Sequence, residues 1–282
     1  MLAFHVCKFF NRLFPLPVHP FNLNNEGIST YSRWQYEKGK HTIQYYLANH
    51  TVQEMFADKT VMDIGCGAGG KTLYYASLGV KHIYGVEVLQ KYEADANQLA
   101  AELALADRFS FVTADAAQLP FDTNSIDTII MNDAMEHVDE PEAVIQECLR
   151  VLVPGGKLFV NFPPYYHPYG AHLSDAIGIP WVHLFFSEKT LTQVYIDAIQ
   201  KHPDAKEREA FRISYRDNGQ AYFSYINEMT VARFNRIGQA LQLRPSYYKE
   251  VPLRGGVFAV LAKLPIIKEM FVKMVVCVIE KP

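Results

Sequence analysis

The sequence predicts an α/β protein in which parallel strands alternate with helices that cover both faces of a sheet. Between Lys59 and Asn161, short runs of branched and aromatic residues alternate with longer runs of helical periodicity. A glycine-rich segment follows the first of these runs, and glycines allow the tight turn that joins a strand to a helix. The strands are apolar along most of their length, as expected when helices cover both sides of a parallel sheet.

The predicted elements follow one another in βαβ order. Thr60–Ile64 is an apolar run that ends at a glycine, and His82–Val88 is rich in branched and aromatic residues. Leu89–Leu105 is rich in Ala, Leu and Glu, which favours a helix. The remaining predicted elements are the helices Gly70–Leu78 and Glu140–Leu152 and the strands Phe109–Thr113, Ile126–Asn132 and Lys157–Phe162.

The pattern changes after the fifth strand. Residues 163–227 begin with two prolines and contain no clear strand, and we expect their charged stretch Lys201–Arg212 to be solvated. A helix is predicted at Met229–Leu241, and strands at Tyr247–Leu253 and Met274–Ile279. We therefore predict an N-terminal helical extension or lid at residues 1–58 and one α/β domain at 59–282, in which 163–227 form an insertion.

Composition excludes several classes of protein. The 282 residues are 49% hydrophobic, which suffices for a buried core. The net charge of −3 provides no surplus of positive charge for nucleic acid. No run of about 20 apolar residues is present, so we expect no transmembrane segment. The four cysteines lie far apart, which argues against a zinc site and a disulfide framework and favours a cytoplasmic protein: Cys7, Cys66, Cys148 and Cys277.

The first fourteen residues are apolar but interrupted by basic side chains. Pro15 and Pro17 follow them in place of a small-residue cleavage site, so we do not expect a secretory signal. A helix here would place Lys8 and Arg12 on one side and most of the apolar residues elsewhere. Packing on the rest of the protein is the simplest interpretation. A lid and a peripheral contact with a membrane surface stay open as alternatives.

The glycine-rich segment is the strongest functional signal. The spacing of Gly65, Gly67 and Gly70 fits a dinucleotide-binding turn, but that pattern has low specificity. Asp63 precedes the first glycine by two residues, where a negative charge suits a ligand with an ammonium or sulfonium group better than a pyrophosphate. Glu87 ends the second strand, where it can accept hydrogen bonds from ribose hydroxyls.

This segment resembles motif I of class I S-adenosylmethionine-dependent methyltransferases with a type 11-like core, an acid followed by G-x-G-x-G. Further matches follow in the family's order at Glu87 and at residues 114–121, 126–138 and 150–158. The resemblance covers Val61–Phe162 well, the last helix and strands loosely, and the insertion not at all. It implies a Rossmann-like seven-stranded, mostly parallel sheet whose last strand is antiparallel, and S-adenosyl-L-methionine as cofactor.

The resemblance also implies roles for individual residues. The methionine part of the cofactor is expected at the glycine turn, the ribose at the end of the second strand, and the adenine after the third strand. Three aromatic residues ahead of the domain, Tyr31, Trp34 and Tyr36, are expected to seal the site, with ordinary packing as the alternative. The cofactor residues so assigned are Asp63, Gly65, Cys66, Gly67, Gly69, Glu87, Val88, Asp115, Ala116, Asn132, Tyr31 and Trp34.

Methyl transfer to a hydroxyl or an acidic carbon requires a group that removes a proton. His137 follows the fourth strand and is one candidate, although it could instead orient the loop. If residues 170–176 form a helix, His172 and Asp175 share a face, as an imidazole held by a carboxylate does in a general base. His183 is a third candidate in the insertion. Capping and core packing are the structural alternatives for all three.

The insertion also supplies the predicted acceptor-binding residues, which are Tyr165, Tyr166, His167, Tyr169 and Trp181. Residues 1–59 hold 11 aromatic side chains and residues 163–227 hold 12, whereas the longer segment 60–162 holds 9. Aromatic side chains offer rigid apolar surface, so this distribution favours a small, largely apolar or aromatic acceptor. We predict methyl transfer to such an acceptor, with O-methylation favoured over C- or N-methylation.

An NAD-dependent oxidoreductase and a noncatalytic cofactor-binding module are the alternatives, and the sequence does not indicate the oligomeric state.

Overall fold

The computed structural model describes residues 2–27, 29–265 and 267–282. Within these residues, nine strands are formed, and seven of them build one sheet in the order β3-β2-β1-β4-β5-β9-β8. The strands are β1 (Thr60–Ile64), β2 (His82–Glu87), β3 (Phe109–Thr113), β4 (Ile126–Asn132), β5 (Leu152–Phe162), β6 (Ile213–Tyr215), β7 (Ala221–Phe223), β8 (Pro245–Pro252) and β9 (Val272–Glu280).

The helices of the described residues connect these strands or precede them. They are α1 (Leu2–Asn11), α2 (Pro20–Asn25), α3 (Tyr31–Ile43), α4 (Val52–Phe56), α5 (Gly70–Ala76), α6 (Glu93–Glu102), α7 (Pro141–Val151), α8 (Val182–Phe185), α9 (Glu188–Ile199), α10 (Ala205–Arg212), α11 (Val231–Ala240) and α12 (Val257–Leu261). Short 3₁₀ turns lie at Gln90–Tyr92 and Lys268–Phe271.

The sheet confirms the predicted fold class. The pairs β1–β2, β2–β3, β1–β4 and β4–β5 are parallel, whereas β9 runs antiparallel to β5. Parallel strands bring their carboxyl ends to one edge, so the segments after β1, β2, β3 and β4 meet there. That edge is where open α/β sheets bind ligands.

The chain divides into two compact units. The first, which we call the helical unit, contains Met1–Ser29, Pro163–Thr230 and Pro252–Lys273. The second, the sheet unit, contains Thr30–Phe162, Val231–Val251 and Met274–Pro282. The predicted extension at residues 1–58 is thus divided after Ser29, because α3 and α4 pack with the sheet. The insertion also contains a hairpin of β6 and β7, which the sequence analysis did not predict.

Helix α3 is joined to α5 by close backbone contact. A Cβ atom at Gly70 would lie 2.0 Å from the carbonyl oxygen of Ser32, and one at Gly39 would lie 2.5 Å from the Tyr74 side chain. Only glycine allows the two helices to approach this closely. The segment that begins at Tyr31 is therefore part of the sheet unit and lies against the start of the helix that follows the glycine turn.

A buried hydrogen-bond network joins the carboxyl ends of β4 and β5 to the segment around α3. The Tyr46 hydroxyl donates to Asn132 Oδ1 at 2.6 Å, and the Asn161 amide donates to both residues. The Asn132 amide donates to the Tyr75 hydroxyl, which also bonds Thr42. Because buried polar groups are costly when they lack partners, this network fixes the ends of both strands.

The helical unit is organised around a buried carboxylate. Asp175 is fully buried, and its oxygens lie 3.3 Å from Arg208 Nη1 and 3.1 Å from Arg212 Nη2. The Tyr195 hydroxyl donates to the same carboxylate at 2.8 Å. The expectation that Lys201–Arg212 is solvated is therefore wrong for both arginines, which need a buried counter-charge because water does not reach them.

Among the described residues, the helices are too short and too polar for any of them to cross a bilayer.

The close approach of α3 and α5 predicts a contrast between two helical glycines. Gly39→Ala should lower the free energy of unfolding by about 1–3 kcal/mol, because the new methyl group overlaps the Tyr74 side chain. Gly238→Ala in α11 is the matched control, since its Cβ would meet nothing within 4 Å and alanine favours a helix by about 1 kcal/mol. Urea unfolding measures both. Equal effects of the two substitutions would contradict the packing described here.

Candidate active site

The turn after β1 contains three glycines with left-handed backbone, and of these Gly65 is exposed. Gly65, Gly67 and Gly69 adopt φ values of 71°, 53° and 75°, which residues with a side chain rarely adopt. Glycine is also required at position 65 for space, because a Cβ atom there would lie 2.7 Å from the side chain of Ala134, which follows β4. The turn leads directly into the N-terminus of α5, where backbone N–H groups without intrahelical partners favour a ligand with acceptor oxygens.

The Glu87 carboxylate supports this turn. Its Oε2 accepts a hydrogen bond from the Gly67 N–H at 3.0 Å, and its Oε1 accepts one from the Leu89 N–H at 3.0 Å. The N–H groups of Gly65 and Cys66 donate to the carbonyl of Val86. The turn is thereby bound to the end of β2, and the Glu87 side chain stays half-buried beside it.

Asp63 lies buried at the end of β1. The Thr72 hydroxyl donates to its Oδ2 at 2.5 Å, which ties β1 to the first turn of α5. Burial raises the pKa of Asp63 to about 7, although the bond from Thr72 and the charge of Lys71 act in the opposite direction. A ligand with a positive charge nearby would favour the ionised carboxylate.

Lys71 is a partly buried cation beside the turn that the resemblance did not single out. Its Nζ lies 2.8 Å from Asp133 Oδ2, and Asp133 has a φ of 52° directly after β4. Burial lowers the pKa of Lys71, but the Asp133 carboxylate outweighs this and the pKa is raised. The signal was present in the sequence as G-x4-G-K-T at residues 65–72, the pattern of a phosphate-binding loop.

The structure argues against phosphate binding at this loop. In such loops the lysine reaches the phosphates and the threonine hydroxyl binds a metal ion. Here Lys71 pairs with Asp133, and the Thr72 hydroxyl donates to Asp63. Two acidic groups therefore lie where a phosphate would need positive charge.

Helix α3 places Tyr31 and Gln35 over the glycine turn. A Cβ at Gly67 would lie 3.5 Å from the Tyr31 hydroxyl and 3.3 Å from the Gln35 amide. The Gly70 N–H donates to Gln35 Oε1 at 3.4 Å. Trp34 is half-buried on the same helix. Tyr31 thus lies where the sequence analysis expected an aromatic seal, and Gln35 joins it.

The other predicted cofactor residues follow the strands of the same edge. Val88 is exposed directly after Glu87, although it is apolar. Asp115 is exposed after β3, and its carboxylate accepts from the Ala117 N–H and so fixes the turn that contains Ala116. The Cys66 side chain is buried, and burial raises the pKa of its thiol well above the ordinary value. The backbone of Cys66 is bonded as well, since its N–H donates to the Val86 carbonyl and its own carbonyl accepts from the Gly69 N–H.

Asn132, which the resemblance implies as a cofactor residue at the end of the fourth strand, ends β4 and is buried. Its carboxamide belongs to the buried network, where the oxygen accepts two hydrogen bonds and the nitrogen donates one to Tyr75. At 3% exposure it has at most one N–H left for a ligand. Its main effect is to hold the end of β4, from which Asp133 and the following loop extend.

That loop carries a buried acid and an exposed histidine. Burial raises the pKa of Glu136 well above its ordinary value, and the neighbouring charge of Asp133 raises it further. The neutral carboxyl is therefore the favoured form of Glu136. His137 is exposed at the next position. Both residues follow β4 in the sheet unit.

The predicted acceptor residues all lie in the helical unit. Tyr165 and His183 have ring centroids 4.8 Å apart, and Tyr166 lies beside Tyr165. Burial lowers the pKa of His183 to about 4, although the backbone of Tyr165 acts in the opposite direction, so its imidazole is neutral at pH 7. These three side chains are brought together as one cluster.

Three further predicted residues have structural contacts in the same unit. The Tyr169 N–H donates to His167 Nδ1, and burial lowers the pKa of His167 to about 4. The Trp181 indole donates to the carbonyl of Met270 at 3.3 Å. His167 therefore stabilises a turn, and Trp181 anchors its segment to the one that precedes β9.

The proposed pairing of His172 with Asp175 is wrong. Residues 170–176 form turns instead of a helix, and His172 has a φ of 53°. The Asp175 carboxylate is bonded to Tyr195 and paired with Arg208 and Arg212, so it does not orient an imidazole. Asp175 and His172 are connected indirectly. Arg212 pairs with Asp175, and its guanidinium donates to the backbone carbonyl of His172.

Comparison with known families agrees with this geometry. Residues 62–160 match the family model described as a methyltransferase domain. This segment contains the glycine turn, Glu87, Asp115 and the loop after β4. It is a class I methyltransferase domain, the class that uses S-adenosylmethionine as methyl donor.

Two curated relatives show how far the similarity extends. A chloroplastic tocopherol O-methyltransferase of Arabidopsis thaliana is 34% identical over 99 residues, 35% of this chain and 28% of the relative. A sterol 4-C-methyltransferase of Caenorhabditis elegans is 26% identical over 207 residues, 67% of this chain and 60% of the relative. The chain thus spans less than two thirds of the length of these relatives.

A solved structure extends the comparison of the fold. A SAM-dependent methyltransferase from Aquifex aeolicus superimposes with a TM-score of 0.51 at 13% identity, covering 94% of this chain and all of that one. This similarity shows the shared fold.

The position of Asp63 predicts a pH effect on stability. The pKa of Asp63 is about 7 in the folded protein, whereas its ordinary value is 3.8. The protonated carboxyl therefore contributes its full stabilisation of the fold below pH 3.8, and this contribution is lost as the pH rises to 7. The stability of the wild type relative to Asp63→Asn should fall over this range by up to about 1.4 kcal/mol per pH unit. Urea unfolding of both proteins at several pH values measures it. The buried histidines titrate in both proteins and cancel, so a constant difference would show that Asp63 ionises normally.

Proposed function

We propose that this chain, in which residues 62–160 form a class I methyltransferase domain, transfers a methyl group from S-adenosylmethionine to a small, largely apolar or aromatic acceptor. The observation that carries the proposal is the glycine turn with its three left-handed glycines, bound by the Gly67 N–H to the carboxylate of Glu87. This arrangement presents backbone and a ribose-binding acid at the ligand edge of the sheet.

The residues of the sheet unit fit such a cofactor. The backbone of Gly65 to Gly69 would hold the methionine part, and the charge of Asp63 would favour its ammonium group. The unshared lone pairs of Glu87 would accept from the ribose hydroxyls. Asp115, Ala116 and Val88 would contact the adenine, and Tyr31 with Trp34 would cover the site.

The bound cofactor supplies a methyl group on a positively charged sulfur, which needs no further activation. The protein's task is then to align the nucleophile, exclude water and accept a proton. Tyr31 and Gln35 would exclude water from the glycine turn. His183 is neutral at pH 7 but, with a pKa of about 4, a weak base, and His137 and His172 are the other candidates for the base.

The acceptor is assigned to the aromatic residues of the helical unit, mainly Tyr165, Tyr166 and Tyr169 with His167 and Trp181. Rigid aromatic surface with a few polar tips suits a ring-bearing molecule. The tocopherol and sterol named for the two relatives are also ring-bearing and largely apolar. We favour a hydroxyl oxygen over carbon or nitrogen as the methyl acceptor, as in the tocopherol relative.

Two alternatives make different predictions. An NAD-dependent oxidoreductase would use the same turn for a pyrophosphate, which the buried Asp63 and the Lys71–Asp133 pair disfavour. A noncatalytic module would keep cofactor binding and lack turnover. Binding and turnover therefore have to be measured separately.

Cofactor choice can be tested by calorimetry with S-adenosylhomocysteine and NADH. We expect binding of S-adenosylhomocysteine alone, weakened about ten- to a hundredfold by Glu87→Ala because hydrogen bonds to a charged group are lost. Glu142→Ala is the control, since Glu142 is exposed on α7 and outside the site. Binding of NADH alone would reject the proposal. Unchanged affinity in Glu87→Ala would reject the ribose role of Glu87.

The base can be identified by single-turnover assays with methyl-labelled cofactor and a panel of ring-bearing hydroxyl acceptors. Of His137→Ala, His172→Ala and His183→Ala, one should lower turnover about a hundredfold or more and leave the affinity for S-adenosylhomocysteine intact. His41→Ala on the exposed side of α3 is the control. Normal turnover in all three variants would show that none of these histidines is the base.

A further inference from the structure

Helix α1 in the helical unit has one face that is fixed by polar and apolar contacts. Cys7 is fully buried in the core of this unit. Asn11, one turn later, donates to the carbonyl of Ala176 at 2.9 Å and accepts from the Gly178 N–H at 2.8 Å. Lys8 pairs with Asp197 on α9 at 2.7 Å. These contacts fix the rotation of α1 about its own axis.

The opposite face of α1 is apolar and exposed. At 100° per residue, Leu2, Val6 and Phe9 form a stripe on the side away from Cys7, and hydrogen bonds from residues 12 and 13 to residues 9 and 10 continue the turn to Leu13. Leu2 is 80% exposed, Phe9 58% and Leu13 61%. Phe10 flanks the stripe and packs edge-on against Phe9. Helices of soluble proteins rarely expose a contiguous apolar stripe, which makes this face a candidate docking surface.

The segment that carries the stripe contains no acidic side chain. Residues 1–25 contain no Asp or Glu, and the first acid of the chain is Glu26. His5 and Arg12, seven residues apart, lie on the same edge of the helix, between the buried face and the stripe, and both are exposed. The exposed side of α1 therefore combines large apolar side chains with the exposed cation of Arg12.

We propose that the stripe formed by Leu2, Val6, Phe9 and Leu13 docks the protein on the surface of an anionic lipid bilayer. Such a helix lies in the plane of the interface, with its apolar face among the acyl chains and its cations at the headgroups. Anionic lipid attracts each nearby cation, which explains the absence of acids. The contact is superficial and reversible, since α1 has only ten residues.

A second copy of this chain fits the face less well. A two-fold contact through the stripe would bring the edge that carries Arg12 close to its own copy, with no acid between residues 1 and 25 to neutralise it. An anionic surface has the complementary charge. The docking does not depend on the proposed methyl transfer, although a bilayer is where an apolar acceptor would be found.

Sedimentation of the 282-residue protein with phosphatidylcholine vesicles, with and without phosphatidylglycerol, tests the proposal. The wild type should bind the anionic vesicles more tightly, and less so at high salt. Phe9→Asp with Leu13→Asp should weaken this binding about tenfold or more. Arg12→Gln should reduce the preference for anionic vesicles about fivefold.

The control is Leu47→Asp, an exposed leucine of the sheet unit, which should leave vesicle binding unchanged. Affinity for S-adenosylhomocysteine, measured on the same samples, should be equal in all variants, so failure of docking and failure of the proposed function are distinguishable. Absence of wild-type binding, or equal binding by the double variant, would overturn the proposal. A dimer that the double variant dissociates, in a protein without affinity for vesicles, would assign the face to a second copy instead.

Discussion

The hydrogen bond from the Gly67 N–H to the Glu87 carboxylate holds the turn after β1 against the end of β2. The turn needs this support because its three glycines adopt left-handed conformations and have great freedom in the unfolded chain. A second tie, from the Thr72 hydroxyl to Asp63, fixes the helix that follows. Together they fix the turn and both acids at the carboxyl edge of the sheet, the edge at which open α/β sheets bind ligands.

The N-terminal segment from Tyr31 is built into this arrangement. Gly39 and Gly70 allow α3 to lie directly on α5, and this contact sets Tyr31 and Gln35 over the turn. The buried network of Tyr46, Asn132 and Asn161 fixes the same segment to the ends of β4 and β5. A cover that is packed in this way is part of the domain's core, so opening it would require breaking buried hydrogen bonds.

Buried charge performs a similar task in the helical unit. Asp175 holds two arginines, and one of them, Arg212, together with the Tyr225 hydroxyl, binds the carbonyl of His172. The sequence suggested that Asp175 contacts the imidazole of His172. Instead, Asp175 helps to position the backbone of His172, through Arg212. Such a role is invisible in a pattern of residue types, because Asp175 is three residues from His172 but contacts partners twenty to thirty-seven positions away.

The amino-acid sequence determined the order of the strands along the chain, the antiparallel final strand implied by the family, the glycine turn and the acids at its borders. These features are local, since each depends on a few consecutive residues and their periodicity. Tertiary packing decided that α3 joins the sheet, that Asn132 is buried in a network, that Lys71 pairs with Asp133, and that Arg208 and Arg212 leave the solvent. Each of these depends on side chains distant in sequence, whose contacts arise only when the elements come together.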